Sequence, residues 1–200
     1  MADFPIIFSA PMVRALLDGR KTMTRRLVPY GSSWMRVLPG DRLWVRESLT
    51  HVTSDPVTGQ SCSVHCYTAS IPDGMSSANP YEPNYLFAND GEPTLKPKNI
   101  PSIHMPRWCS RLTLTVIAVR IERLQDITET DAMAEGVQRA AAGTMDANVG
   151  QVTIYKFRTG FVRLWGELHG TESWLANPEV VAITFRVVRA NIDEPEERAA

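Results

Sequence analysis

The stretch Arg111–Leu124 (RLTLTVIAVRIERL) carries the strongest extended pattern in the chain. Leu112, Leu114 and Val116 alternate with Arg111, Thr113 and Thr115, the period of a strand with one buried face. The phase slips at Ile117–Ala118, which predicts a bulge or break there. A strand of this length needs partners. Phe4–Phe8, Leu43–Glu47 after the Pro39-Gly-Asp41 turn, and Val180–Val188 supply them. In Leu43–Glu47, Leu43 and Val45 fall on one side and Trp44 and Arg46 on the other.

Helical patterns sit between these strands. Pro11 fits the first turn and Gly19 the end of a helix over 10–18, with Val13, Leu16 and Leu17 as its apolar face. Thr128-Glu-Thr-Asp131 fits a capping box that opens a helix over 129–135, closed by Gly136. Phe157, Phe161, Leu164, Trp165 and Leu168 recur at helical spacing within 154–169, and Gly170 ends that run. Residues 51–100 hold six of the fourteen prolines and seven charged residues with no helical period, so they read as a loop-rich insertion with short strands near 63–67 and 85–88. Residues 138–152 are Ala/Gly-rich and read as a flexible loop, and 191–200 as an acidic tail. The strands are too few and interrupted for a doubly wound sheet. The expectation is an α+β fold: one domain over 4–190, a small, mostly antiparallel β-barrel with helices at its openings.

Composition narrows the function classes. Hydrophobic residues make up 44% and charged residues 22% of 200, with a formal net charge of −1, so neither global disorder nor a histone-like polycation fits. No apolar run approaches the ~20 residues of a membrane helix, and the N-terminal stretch has no basic region of a secretory signal. Three cysteines do not make a disulfide framework, and a cytoplasmic location is expected. Cys62, His65 and Cys66, with His104 and Cys109, offer five possible zinc ligands, but without the paired tight spacing of a zinc site. The expectation is inert thiols, no metal and no cofactor. The sequence leaves the oligomeric state open. Charge is uneven: residues 1–50 hold eight Arg/Lys against four acids, the charge pattern of a surface that meets an anionic ligand.

The densest polar segment is Asp18–Arg26 (DGRKTMTRR). A threonine hydroxyl such as Thr24 becomes nucleophilic when a base takes its proton. Lys21 is a base once desolvation or cationic neighbours lower its pKa from ~10.4 towards ~7–8. Arg20, Arg25 and Arg26 are such neighbours. In a straight strand residues three apart point to opposite faces, so the pair cooperates only if the chain bends near Thr22–Met23.

The residues Leu17–Arg25 (LDGRKTMTR), Pro39–Glu47 (PGDRLWVRE), Ile103–Trp108 (IHMPRW) and Val119–Gly136, together with the closing strand over 180–188, resemble the ASCH domain of the PUA-like barrel superfamily, in its phage and prophage branch. Some small members of that family are N4-acetylcytidine amidohydrolases with a Lys-x-x-Thr pair after the first helix and a Glu in the short helix after the long strands. The resemblance implies Lys21 and Thr24 for the pair and Glu135 for the acid. Other members are described as ribonucleases or RNA binders. This chain is much longer than the small amidohydrolases, carries the 51–100 insertion, and has Arg25-Arg26 after the threonine.

Amide hydrolysis then assigns attack to Thr24, the base to Lys21, and protonation of the departing amine to Glu135, with an oxyanion donor from backbone N–H or an Arg. For substrate binding, Arg20, Arg25, Arg26 and Arg107 are candidates to hold phosphate or other anionic groups. Arg46 and Glu47 close their strand near the same mouth, Glu47 as a second acid/base or as a partner of Arg25 or Arg26. Trp44, Trp108 and Tyr67 are candidates to stack on a base. A PUA-like module that binds RNA or a modified base without catalysis is the alternative, and a metal-independent ribonuclease a further one.

Overall fold

The structure is a computed structural model that describes residues 1–29, 31–54, 61–67, 69, 85–86, 98–147 and 150–194. In chain order its elements are β1 (Asp3–Ile7), α1 (Ala10–Leu17), β2 (Met23–Leu27), β3 (Arg42–Arg46), β4 (Leu49–Ser54), β5 (Ser61–Tyr67), β6 (Tyr85–Leu86), β7 (Lys98–Ile100), β8 (Thr113–Arg123), α2 (Glu129–Ala134), β9 (Ala140–Ala147), β10 (Gly150–Lys156), α3 (Phe157–His169), α4 (Thr171–Leu175) and β11 (Glu179–Val188). Single-turn helices add Ser33–Arg36, Ser102–His104, Arg107–Cys109 and Leu124–Asp126.

The fold is α+β. Its five-stranded sheet has the order β1-β3-β8-β11-β2. β1 and β3 run parallel (Phe4 opposite Leu43, Ile6 opposite Val45), whereas β11 and β2 run antiparallel (Ile183 opposite Thr24). The sheet is therefore mixed, and among the described residues no pairing joins its terminal strands β1 and β2 into a barrel. β8 runs without a break from Thr113 to Arg123; Thr113, Leu114 and Val116 are buried, and no residue of the strand after Val116 is.

The chain divides into two compact units, each assembled from separated segments. The first comprises Met1–Ala2, Ala15–Asp41 and Thr115–Val187. Its core gathers Leu124, Ile127, Ala132, Val137, Phe161, Trp165 and Val180, with Leu27, Phe157, Leu164 and Trp174 packed against them. Val180–Ile183 are buried without alternation, as in a strand covered on both faces. The flexible loop expected over 138–152 is instead largely an antiparallel hairpin, β9 against β10, with a register shift between Ile154 and Tyr155; residues 148–149 lie outside the described set. That hairpin also delays the start of α3 to Phe157, and Leu168, expected on its apolar face, is exposed.

The second unit comprises Asp3–Arg14, Arg42–Leu114 and Val188–Ala200. Leu49, Tyr67, Met105 and Cys109 form a core cluster with Ile100. What is described of the 51–100 insertion is a four-stranded antiparallel sheet of order β6-β5-β4-β7. The strands expected near 63–67 and 85–88 are there as β5 and β6, with Phe87–Ala88 outside the described residues. Residues 195–200 of the expected acidic tail also lie outside them.

Candidate active site

α1 ends at Leu17, and Gly19 takes φ +72°, which turns the chain back so that the Lys21 N–H bonds the Ala15 carbonyl at 3.0 Å. α2 starts on Thr128, whose hydroxyl accepts the Asp131 N–H at 3.1 Å. It finishes at Glu135, whose own N–H reaches the Asp131 carbonyl at 2.9 Å. Lys21 and Glu135 then pair as an isolated antiparallel bridge, while the Thr22 N–H bonds the Ala134 carbonyl at 2.8 Å. Gly136 makes this approach feasible. Its φ is +78°, and a Cβ there would lie 2.8 Å from the Lys21 Cβ and 2.9 Å from the Ala15 Cβ. The regular strand β2 begins at Met23, and the Thr22 carbonyl accepts the Phe185 N–H of β11 at 2.9 Å.

This bridge buries an ion pair. The Lys21 Nζ donates to Glu135 Oε2 at 2.8 Å, to the Glu135 carbonyl at 2.9 Å and to the Met23 carbonyl at 2.9 Å. Lys21 is 2% and Glu135 4% exposed. Burial drives the Lys21 pKa below its ordinary value against the opposing pull of Glu135, and Arg26 and Arg25 push it the same way as burial. An ammonium has three donors, and three acceptors meet them here. Thr24 lies on β2 opposite Ile183 and is buried; the acceptors around the Lys21 ammonium are the Met23 and Glu135 carbonyls and the Glu135 carboxylate.

Arg25 and Arg26 are neighbours in sequence with different surroundings. Arg25 meets Glu122 Oε1 through Nε at 2.8 Å, Asp131 Oδ2 through Nη2 at 2.9 Å, and Glu135 Oε1 through Nη1 at 3.2 Å. Its Nη1 also touches the Met23 sulfur at 3.4 Å. Arg120 bonds Glu122 at 2.6 Å and also bonds Asp131. Three cations (Lys21, Arg25, Arg120) thus balance three carboxylates (Glu122, Asp131, Glu135). With three carboxylates on its donors, Arg25 braces Glu135. Arg26 lies 5.8 Å over the Trp34 ring, and its pKa is pulled down by burial and lifted by Glu135. Arg20 bonds Asp18 and the Gly136 carbonyl, which ties the two approaching loops together.

The remaining candidates belong to the second unit. Glu47 is 1% exposed and pairs with Arg111 (2.8 and 2.9 Å), not with Arg25 or Arg26. Burial raises its pKa and Arg111 opposes that rise. Arg111 also lies 3.9 Å over the Tyr67 ring, and the Tyr67 hydroxyl bonds the Cys109 carbonyl at 2.9 Å, so a ring expected to stack on a base carries a guanidinium instead. Arg46 lies 5.3 Å over Trp44 and bonds the Ile103 carbonyl. Arg107 is held by Asp3 and Asp193 at 2.6 and 2.7 Å. Trp108 is 64% exposed.

Cys109 is buried, and burial pushes its thiol up to about 11, which keeps it protonated and unreactive. His104 is exposed, and the side chains of Cys62, His65 and Cys66 lie outside the described residues. Among the described residues no group of three or more His, Cys, Asp or Glu is arranged to hold a metal ion, and no helix is long and apolar enough to cross a membrane. Trp34, Glu122, Asp131 and Arg120 were not singled out from the sequence. The only cue was that Glu122 and Asp131 flank the start of the capped helix that carries Glu135. His169 stacks on Trp165 with centroids 4.3 Å apart, and its pKa is lowered by burial and by Arg26.

No protein family, curated protein or solved structure matches the chain.

Proposed function

We propose that this chain is an amidohydrolase that removes an acyl group from the exocyclic nitrogen of a pyrimidine nucleoside or base, with N4-acetylcytidine as the type of substrate. The reading takes the ASCH resemblance as its premise, with the small PUA-like barrel as the fold that the resemblance implies. The observation that carries it is the buried contact between Lys21 and Glu135, an amine and a carboxylate 114 positions apart brought to 2.8 Å.

In such a pair one proton has two places to sit. Burial disfavours the charged form of Lys21, and transfer of its proton along the 2.8 Å contact to Glu135 gives the neutral amine. That tautomer is the reactive one. The neutral Lys21 takes the proton of the Thr24 hydroxyl as its oxygen bonds the acyl carbon. Glu135 gives its proton to the exocyclic nitrogen as the C–N bond breaks, which leaves an ammonium, a carboxylate, the free amine and an acyl-threonine. Water then attacks the ester, one of its protons goes to Glu135, Lys21 returns a proton to the Thr24 oxygen, and acetic acid leaves and loses its proton to solvent as acetate. No net proton is lost from the pair over the cycle.

Incubation of purified protein with N4-acetylcytidine is expected to yield cytidine and acetate. Lys21→Ala and Thr24→Ala, each shown to be folded, are expected to yield none. A second reading follows from the full hydrogen bonding of the Lys21 ammonium, which suits a structural clamp: a module that binds RNA or a modified base without turnover. It predicts a salt-sensitive shift of labelled RNA with no acetate. Cleaved RNA in the same assay, without added metal, would instead favour the ribonuclease reading.

A further inference from the structure

Asp131 lies in α2 and Glu135 caps its C-terminal end, four positions on, so the two carboxylates share one face of the helix. Like charges at that spacing repel. Arg25 lies across both: Nη2 bonds Asp131 Oδ2 at 2.9 Å and Nη1 bonds Glu135 Oε1 at 3.2 Å. A third carboxylate, Glu122 of β8, accepts from Nε at 2.8 Å, so each nitrogen of the buried guanidinium is held. The Met23 sulfur touches Nη1 at 3.4 Å, and the Phe161 ring centroid lies 5.9 Å from the guanidinium carbon. The Met23 contact sets Arg25 on the Met23 face of β2, and strand alternation sends Arg26 to the other face. All of these residues belong to the first unit. The arrangement bears on where Glu135 carries a proton. Its Oε2 meets the Lys21 Nζ at 2.8 Å. Its Oε1 meets a guanidinium, a group that keeps its own protons. A proton on Oε1 would face that fixed cation, whereas a proton on Oε2 stays on the Lys21 side.

We propose that Arg25 is a positioning residue for the hydrolysis: by pinning Oε1 of Glu135 it keeps Oε2 on Lys21, so that the proton taken from the amine leaves for the exocyclic nitrogen of the substrate from that one oxygen. Asp131 and Glu122 hold the guanidinium in place, the first from the helix that carries Glu135 and the second from β8. This assignment rests on the amidohydrolase reading. It adds that Arg25 acts through Glu135 and makes no contact with the substrate.

The test is steady-state hydrolysis of N4-acetylcytidine across pH by the full chain and three variants, Arg25→Lys, Arg25→Gln and Arg120→Gln, at equal folded concentration. Arg25→Lys keeps the charge but has no fork to span three carboxylates. It is expected to lower kcat by about 10-fold to 100-fold with little change in KM, the mark of a misplaced catalytic group rather than of lost binding. Arg25→Gln lowers kcat at least as far. It also moves the alkaline limb of kcat, where the pair loses its shared proton, to higher pH. The direction follows from the charges that act on Lys21: burial, Arg26 and Arg25 hold its pKa down against Glu135. Arg25→Lys leaves that limb in place. A residue that only supports the fold would change the folded fraction and move neither kcat nor the limb. Arg120→Gln takes a cation from Glu122 and Asp131 without touching Glu135 and is expected to keep the wild-type kcat. Should Arg25→Gln not fold, Arg25→Lys against Arg120→Gln carries the same comparison. Acetate release by wild-type protein together with wild-type kcat in Arg25→Lys, or with an equal fall in Arg120→Gln, overturns this assignment alone. No acetate release by the wild type overturns the amidohydrolase reading and this assignment with it.

Discussion

Each of the two units buries an ion pair, and the two pairs are built for different ends. Glu47–Arg111 is a fork: both carboxylate oxygens meet one guanidinium, which is stacked 3.9 Å over Tyr67. An arginine holds its proton at any physiological pH, so this pair can carry charge but cannot pass a proton. Lys21–Glu135 divides its carboxylate, with Oε2 on the ammonium and Oε1 on Arg25. Its cation is the kind whose pKa burial lowers, and burial does so here. Burial and ion pairing alone therefore do not mark a site; the identity of the cation decides whether a buried pair can do acid–base chemistry.

The largest effect that sharpens this contrast is on turnover. Glu135→Gln is expected to reduce acetate release from N4-acetylcytidine by about 100-fold to 10,000-fold, the range for loss of a general acid. It also leaves a buried ammonium short of its partner and lowers stability by about 3–5 kcal/mol, read by urea unfolding. Glu47→Gln is expected to cost about 2–3 kcal/mol, because Arg111 keeps some access to water and its aromatic face, while the kcat of the folded protein stays at the wild-type value. Gly136→Ala forces a side chain into positive φ and against Lys21, at about 1–3 kcal/mol, with a fall in kcat that its neighbour Val137→Ala does not share.

The smallest effects are in pH dependence, and the two pairs differ in sign. Glu47 has a folded pKa above 4.5, so between 4.5 and that raised value the folded state holds a proton that the unfolded chain has lost, and stability falls as pH rises. Lys21 has a folded pKa below 10.5, so between that lowered value and 10.5 the unfolded chain holds the extra proton, and stability rises with pH. Thermal melts across pH are expected to lose the first slope in Glu47→Gln and the second in Lys21→Met.

The contrast between the pairs was only half legible in the sequence. Local signals give α1, the capped α2 and the glycine after it, because each depends on neighbours a few positions away; the break expected at Ile117–Ala118 is absent, since β8 runs through it. Lys21 and Glu135 were singled out together only through the family resemblance. For Glu47 the sequence offers a second acid/base or a partner of Arg25 or Arg26, because charge and composition do not encode partners, and Arg111 lies 64 positions further on. Arg25 and Arg26 read alike until strand parity and the carboxylates of Glu122 and Asp131 separated them. The β9–β10 hairpin was missed because small residues such as Ala140–Gly143 show no alternation, and its pairing rests on backbone hydrogen bonds. Ile154 and Tyr155 continue the helical spacing of α3 backwards into that strand, which is why its start was set too early.

The central claim is that the lysine pair is reactive and the arginine pair structural. Acetate release from N4-acetylcytidine, measured side by side for wild type, Glu135→Gln and Glu47→Gln at equal folded concentration, tests it most directly. Wild type and Glu47→Gln are expected to release acetate at the same rate and Glu135→Gln to release almost none. Wild-type protein without acetate release, or Glu135→Gln at the wild-type rate, would contradict it.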